Sequence, residues 1–152
     1  MKKLFTVVAL LCAALAAPAF AADPIVGSWT LNTAKSKFSH GNELKSGTRT
    51  YTETSGTYTL EQKLTGADGK EQSMTVQYKD GEDNKMSAGT LDEIHAKKVN
   101  DHTWDFDLRK GGKTVGHVHR TVSADGKTLK VHNTGMQPSG KSGDETLVFD
   151  KQ

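Results

Sequence analysis

Short segments in which Thr, Val or aromatic residues alternate with polar residues make up nearly all of the chain beyond residue 38. Pairs of turn-forming residues, mostly Asp-Gly and Gly-Gly, separate these segments. Alternation between such turns is typical of β-hairpins, because successive side chains of a strand point to opposite faces of the sheet. The pattern predicts strands at 25–31, 46–54, 57–65, 71–79, 84–88, 92–99, 102–109, 113–122, 127–135 and 144–150.

The succession of these strands also constrains their arrangement. Consecutive tight hairpins produce an antiparallel meander, which at this length either closes into a barrel or stacks as two open sheets. Closure leaves no exposed edge strand, so we predict an all-β, up-and-down barrel of about eight to ten strands, with an open two-sheet sandwich as the alternative. No sustained helical period follows the first 21 residues, so helix is limited to one turn near residues 33–38.

Alternation also predicts which side chains face the barrel interior. The clearest case is 102–109, where Trp104, Phe106 and Leu108 share one face. The same reasoning places further residues inside, namely Tyr58, Leu60, Gln62, Leu64, Gln72, Met74, Val76, Tyr78, Leu147 and Phe149. Only 34% of the chain is apolar, and the first 21 residues contain a disproportionate share of it. An interior with so few large apolar residues is consistent with space for water or one small ligand, unless loops and long Lys stems fill it as a packed core.

The first 21 residues have the features of an export signal. Lys2 and Lys3 precede the almost wholly apolar run 4–17, and Ala19 and Ala21 provide small residues for cleavage. We therefore predict a cleaved signal peptide at 1–21 and a single domain at 22–152, periplasmic or secreted, with no stable membrane anchor after cleavage. Cys12 is not a lipid attachment site, because a bulky Leu precedes it.

Charge and cysteine content exclude several classes of function. The chain has 20 Lys plus Arg and 18 Asp plus Glu, so removal of Lys2 and Lys3 leaves 18 of each. A mature domain without net charge offers no basic surface for nucleic acid or an anionic membrane. Cys12 is the one cysteine, so the mature domain has neither a catalytic thiol nor a disulfide, and a packed core must stabilise it.

Several motifs carry a resemblance to a known group. Gly27-Ser28-Trp29 stands in the first predicted strand and is followed by LNTAKSKF. Later segments are GGKTVG, the hairpin sequence SADGKTLKV and the final VFDKQ. Over nearly the whole mature chain these motifs resemble small exported bacterial lipocalin-like proteins of the calycin superfamily. The resemblance implies an antiparallel barrel of the lipocalin or fatty-acid-binding-protein type around a small apolar ligand.

The same resemblance implies structural roles for Gly27 and Trp29. In that superfamily the Trp packs near the closed end of the barrel against an Arg from a late strand, for which Arg120 is the first candidate and Arg109 the second. Two features depart from the pattern. The Thr-Asp-Tyr motif of lipocalins is absent between the late strands, and the segment between the first two strands is too short for the two-helix lid of fatty-acid-binding proteins.

We therefore expect a monomer without a cofactor that binds a small apolar or amphipathic molecule in its interior and performs no chemistry. Asp105 and Asp107 share a face, but that face is opposite Trp104 and so lies outside, and no Gly-x-Ser-x-Gly nucleophile motif occurs. The aromatic residues offer stacking surfaces and hydroxyls, and an Arg can hold a polar head. The predicted ligand-binding residues are Tyr58, Met74, Tyr78, Trp104, Phe106 and Arg120.

Two alternative functions remain open from the sequence. A barrel that acts on a protein partner through its outer surface would have a packed interior and an exposed apolar patch. A metal-binding role would use His117 and His119, which share one face of a strand. If the next hairpin turns on Asp125-Gly126 alone, His132 lies opposite His119; if a three-residue loop with a bulge connects the strands, His132 faces away. Apolar matching favours the first register, and the turn sequence favours the second.

Overall fold

The computed structural model of the protein describes residues 22–87 and 89–152, so the predicted signal peptide at 1–21 lies outside the described residues. This part of the chain includes no helix long and apolar enough to cross a membrane. Its strands are β1 (Gly27–Leu31), β2 (Leu44–Thr54), β3 (Thr57–Gly66), β4 (Glu71–Tyr78), β5 (Asp83–Lys85), β6 (Glu93–Asn100), β7 (Thr103–Lys110), β8 (Lys113–Val122), β9 (Thr128–Met136) and β10 (Ser142–Lys151).

All ten strands belong to one antiparallel sheet that curls into a nearly closed barrel. The strand order is β4-β3-β2-β1-β10-β9-β8-β7-β6-β5, so the first strand pairs with the last. This order confirms the predicted up-and-down barrel and excludes the two-sheet sandwich. Full closure was too strong an expectation, because within residues 22–87 and 89–152 no backbone ladder joins β4 to β5.

The predicted strand bounds differ most from the structure at β5. The prediction was 84–88, but the strand ends at Lys85, and one further bond in the same register, from the Met86 N–H to the Asp92 carbonyl at 2.9 Å, follows it. The turn of helix predicted between β1 and β2, near residues 33–38, was wrong: residues 33–35 form a non-helical turn, with the Lys35 N–H donating to the Asn32 carbonyl at 3.3 Å, and Lys37 forms a β-bridge with Thr146. The segment makes no helical lid, as its length predicted.

The barrel interior contains the side chains that alternation assigned to it. Trp104, Phe106 and Leu108 are buried, as are Leu147 and Phe149. One assignment was wrong, because Gln72 is exposed. It occupies the second position of β4, beside the β3–β4 turn, where the sheet extends beyond the covered interior.

One end of the barrel, here called the aromatic end, is filled by stacked and edge-on rings. The Tyr58 ring stacks on Tyr78 at 5.5 Å and meets the edge of Trp104 at 4.9 Å. Phe106 continues the cluster, 5.0 Å from Tyr78. Each ring comes from an interior position of β3, β4 or β7, so the alternation of three strands brings them together. Such edge-on and offset pairs stabilise a core beyond their area of burial.

Asp23 fixes the segment before β1 against the aromatic end. Its carboxylate accepts hydrogen bonds from the Tyr58 hydroxyl and from Lys98 Nζ, both at 2.8 Å, and from the Ile25 N–H at 3.1 Å. Burial opposes ionisation of this carboxyl, but the three hydrogen bonds outweigh it and hold the pKa of Asp23 below its ordinary value. Burial and the Asp23 charge raise the pKa of Tyr58 to about 12.

Replacement of Asp23 by Asn is expected to lower the free energy of unfolding by about 1–3 kcal/mol at pH 7, because it removes hydrogen bonds to a charged group. The folded-state pKa is depressed, so this contribution is present above the ordinary pKa of 3.8 and is lost as the pH falls through the folded value. Denaturant titrations at pH 7 and pH 2.5 would show the difference between wild type and variant shrinking with acid.

Asp101→Asn is a matched control for this substitution. Asp101 also pairs with Lys98, at 3.3 Å, but its side chain is 85% exposed. An exposed pair contributes under about 1 kcal/mol, so the control should differ little from wild type at either pH. Equal losses in the two variants, or a deficit in Asp23→Asn that does not change with pH, would refute the role given to Asp23.

Candidate functional site

A cavity of about 70 Å³ lies in the barrel interior next to the aromatic cluster. Its apolar wall comes from both edges of the sheet and from the strands opposite, and its polar wall from β2, β8, β9 and β10. The residues that line it are Arg49, Gln62, Leu64, Met74, Val76, Met86, Ile94, Phe106, Leu108, Val118, Arg120, Asn133, Gln137, Pro138, Glu145 and Leu147.

Three charged side chains point into this interior because each occupies an inward-facing position in the alternation of its strand. Arg49 precedes the buried Tyr51 by two residues on β2, and Arg120 lies between the buried Val118 and Val122 on β8. Glu145 precedes the buried Leu147 by two residues on β10. Arg49, Arg120 and Glu145 are all at most 7% exposed. Two cations and one anion therefore give the cavity wall a formal charge of +1.

The two guanidinium groups rest on aromatic rings and leave hydrogen-bond donors unused. Arg49 Nη1 donates to the Tyr51 hydroxyl at 3.3 Å, and the Arg49 guanidinium lies 4.8 Å from the centre of the Phe149 ring. Arg120 lies 4.1 Å from the centre of Phe106. Within the described residues, Arg49 Nε and Arg120 Nε and Nη1 have no hydrogen-bond partner. The same is true of Gln137 Nε2, so the cavity is rich in free donors.

Burial sets the electrostatics of the site. Burial lowers the pKa of Arg49, and the neighbouring Arg120 charge lowers it further, whereas Tyr51 and the Glu145 charge act in the opposite direction. An arginine stays protonated even so, because its ordinary pKa is far above neutrality. A charge held in the interior at this cost attracts any anion small enough to enter.

Glu145 has partners of its own. Its Oε1 accepts from Asn133 Nδ2 at 3.2 Å, and its Oε2 accepts from the Ser39 hydroxyl at 3.5 Å. These partners are neutral, so the carboxylate is held without a direct ion pair to Arg49 or Arg120 in this part of the chain. The cavity thus has a donor-rich wall at the arginines and acceptors at Glu145 and at Gln62, whose Oε1 has no partner within the described residues.

The six predicted ligand-binding residues divide into two groups. Met74, Phe106 and Arg120 line the cavity. Tyr58, Tyr78 and Trp104 belong to the aromatic end and pack on one another. Tyr78 still connects the groups, because the Arg120 guanidinium lies 5.8 Å from the centre of its ring.

Gly27 and Trp29 occupy a structural position. The backbone φ of Gly27 is +129°, a region that favours glycine, and a Cβ there would lie 3.0 Å from Lys151 Cε. Trp29 is fully buried and donates its indole N–H to the Ile25 carbonyl at 2.8 Å. The expected contact between Trp29 and Arg120 was wrong. The cation over the Trp29 ring is Lys151, with Nζ 5.0 Å from the ring centre.

The two arginines proposed for that contact are committed elsewhere. The Arg120 guanidinium lies over aromatic rings of the barrel interior instead. The residue paired with Trp29 on β10 is Lys151, whose ammonium lies over the indole. Arg109 lies on the outside of β7, where Nη1 pairs with Asp83 at 2.9 Å and with Glu93 at 3.1 Å.

Sequence reasoning did not select four polar residues of the cavity, namely Arg49, Asn133, Gln137 and Glu145. For three of them the sequence does contain a signal, which is a position on the same strand face as a buried apolar residue. Arg49 shares a face with Tyr51, Asn133 with Val131, and Glu145 with Leu147. Interior faces were identified from apolar residues alone. Charged and amide residues on the same faces were therefore not assigned to the interior.

The outer face of β6–β10 carries the histidines considered for metal binding. The β8–β9 register pairs His119 with His132 and Val122 with Leu129, so the register favoured by apolar matching is the correct one. Carboxylates of neighbouring strands bond to the rings, Asp107 to His117 and Asp105 to His119. Within residues 22–87 and 89–152, no three His, Asp or Glu side chains are placed to hold a metal ion.

The outer surface also bears on the alternative of a protein partner. That alternative requires an exposed apolar patch. Among the described residues, Val99 is the one large apolar side chain that is exposed, at 49%. A single exposed valine is ordinary for a protein surface and makes no patch.

Comparison with known proteins relates the chain to fatty-acid carriers by fold. No family model and no curated protein matches the sequence. One similar solved structure is a Schistosoma mansoni fatty acid binding protein in complex with arachidonic acid, with a TM-score of 0.61 and 18% identity over 85% of this chain and 96% of that one. Another is the REP1-NXSQ fatty acid transporter, with a TM-score of 0.58 and 12% identity over 84% and 96%. At these identities the likeness shows a shared barrel fold.

Proposed function

We propose that the barrel binds a small amphipathic molecule in its interior without catalysing a reaction, in the compartment to which residues 1–21 direct it. The observation that carries the proposal is a cavity with an apolar wall and buried, unpartnered polar groups of Arg49, Arg120 and Gln137. Ligand sites typically combine mostly apolar walls with a few placed polar groups. The similar solved structures are named as carriers of fatty acids, which supports a ligand with an apolar part and a carboxylate.

The two walls of the cavity suggest how such a molecule is oriented. Its apolar part packs against Met74, Ile94 and Leu108, and its polar head accepts hydrogen bonds from Arg49 and Arg120. A carboxylate suits these donors because charge-assisted hydrogen bonds to guanidinium are stronger than neutral ones. Binding would also satisfy donors that are otherwise buried without partners, a state that costs about 1–3 kcal/mol for each group.

Filling the cavity is the direct test of this function. Val118 is buried in the cavity wall, so Val118→Phe should place a ring in the space that a ligand needs. We expect butyrate, a small amphipathic carboxylate, to shift backbone amide resonances of cavity residues in a saturable way. We expect Val118→Phe to weaken its affinity at least tenfold.

Val99→Phe is the matched control, because it makes the same change at an exposed site on β6. It should bind butyrate as the wild type does. Circular dichroism and unfolding curves would establish that both variants are folded. Resonance shifts that do not saturate, or equal affinities in the two variants, would contradict binding in the cavity.

A further inference from the structure

The size of the cavity and the placement of Glu145 carry a narrower identification of the ligand, which rests on the proposed function. We propose that the site selects a compact hydroxycarboxylate, a monoanion that also offers a hydroxyl hydrogen, over both plain carboxylates of the same length and long-chain fatty acids.

The volume of the cavity limits the size of the ligand. A single buried water needs about 10–15 Å³, so a cavity of about 70 Å³ suits a compact molecule rather than one water. Ligand pockets for larger organic molecules are several times more spacious, at about 300–1,000 Å³. Aromatic rings take up the barrel space beyond the cavity, since Phe106 in its wall packs against Tyr78 and Trp104. The cavity therefore does not enclose a long acyl chain together with its head group.

The charges of the cavity wall favour a ligand with one negative charge. Arg49 and Arg120 are buried with Glu145 in one cavity wall, and the fields of Arg120 and Glu145 both act on Arg49. The formal charge of +1 is neutralised by one monoanion, whereas a dianion would reverse it. The free Arg49 Nε and Arg120 Nε and Nη1 are donors suited to one carboxylate.

The cavity also offers hydrogen-bond acceptors, namely the carboxylate of Glu145 and the unpartnered Oε1 of Gln62, and Glu145 is the charged and therefore stronger acceptor. Each carboxylate oxygen can accept two hydrogen bonds, and each oxygen of Glu145 has one partner, Asn133 or Ser39. Spare lone pairs therefore remain on a carboxylate that lines the cavity. A plain carboxylate would set CH groups against these lone pairs, and a hydroxyl would satisfy one of them. Glu145 in this role is a specificity-determining residue.

A small set of carboxylates tests the preference. We would titrate isotopically labelled protein with butyrate, 2-hydroxybutyrate, 3-hydroxybutyrate and decanoate, and measure each dissociation constant from amide shifts. At least one hydroxybutyrate should bind about tenfold more tightly than butyrate, because a site built to bond a hydroxyl disfavours the analogue that lacks it. Decanoate should bind no more tightly than butyrate.

Glu145→Gln identifies the residue responsible. The amide keeps the shape of the side chain and an acceptor oxygen but removes the charge, so the hydroxyl loses a charge-assisted hydrogen bond and its tenfold preference over butyrate should fall to about twofold or less. Glu93→Gln is the matched control, since Glu93 pairs with Arg109 on the outside of the barrel and should leave every affinity unchanged.

The outcomes separate this inference from the proposed function. If butyrate binds and both hydroxybutyrates bind no better, or if decanoate binds more tightly than all of them, the hydroxycarboxylate preference is refuted and the binding function stands. A preference that persists in Glu145→Gln also refutes it. If none of the four carboxylates gives saturable shifts at cavity residues, the proposed function itself fails.

Discussion

Trp29→Ala is expected to lower the free energy of unfolding by about 3–5 kcal/mol, the usual cost of truncating a fully buried aromatic side chain. Trp29 has no exposed surface, and its removal leaves a cavity on β1 between β2 and β10. It also frees the Ile25 carbonyl of its donor, at the point where the chain enters the sheet. Urea denaturation at neutral pH would measure the loss.

Trp29→Phe separates the two contributions. Phe keeps most of the buried ring and lacks the indole N–H, so it should cost less than Ala and leave the Ile25 carbonyl unpaired. Trp29 does not line the cavity, so butyrate affinity should be unchanged in whichever variant stays folded. Reduced butyrate affinity in a fully folded Trp29→Phe variant would show that the residue acts on the ligand, contrary to the structural role given to it.

The position of Trp29 explains why the sheet can be nearly closed from a short first strand. β1 has five residues, yet it must join β2 to β10 and so connect the two halves of the sheet. A small Gly27 at positive φ and a large Trp29 allow one strand to bend and to fill the interior at the same time. The Lys151 ammonium, 5.0 Å from the ring centre, covers the indole from β10. Loss of the ring should therefore weaken this connection as well as the core.

The fold could be predicted from the sequence because a local rule determines most of it. Turn pairs such as Asp68-Gly69 and Asp125-Gly126 fix where strands end, and alternation then fixes which side chains face inward. Trp104, Phe106 and Leu108 follow that rule and are buried. Consecutive hairpins predict that each strand pairs with the next, and within the described residues this holds for every consecutive pair except β4 and β5.

The gap and the cavity could not be predicted in the same way, since they depend on contacts between strands far apart in sequence. Within the described residues β4 and β5 form no ladder, and the three residues of β5 pair with β6 on the other side. Whether Tyr58 lines a cavity or packs on Tyr78 depends on ring positions across strands. Alternation assigns a face, and it does not say how much of the space inside that face is filled.

The buried charges of this barrel are better explained by ligand binding than by a contribution to stability. Two guanidinium groups and a carboxylate in an interior of this size could be replaced by apolar residues of similar volume without loss of the strand pattern. In other proteins such replacements are often neutral or stabilising, because desolvation of the charges is no longer required. Retained buried charges with free donors are therefore expected where a ligand completes their hydrogen bonds, and their removal should affect stability and affinity in opposite directions.

Arg49→Met tests that expectation. Methionine replaces the apolar stem of the side chain as far as Nε, removes a buried charge with a free Nε, and leaves Arg120 and Glu145 in formal balance. We expect the free energy of unfolding to rise by about 1–2 kcal/mol, after the loss of the Tyr51 hydrogen bond and the Phe149 contact is included. Butyrate affinity should fall at least tenfold, since truncation of a buried charged partner costs about 2–5 kcal/mol of binding.

Arg109→Met makes the same change on the outside of the barrel, where the arginine pairs with Asp83 and Glu93. Its stability should change little, because exposed ion pairs contribute little, and its butyrate affinity should equal that of the wild type. Calorimetric unfolding and the amide titration give both quantities for each variant. If Arg49→Met is less stable than the wild type and binds butyrate equally well, Arg49 is a structural cation that holds Tyr51 and Phe149 in place. A more stable variant with weakened binding identifies a charge that the barrel keeps for its ligand.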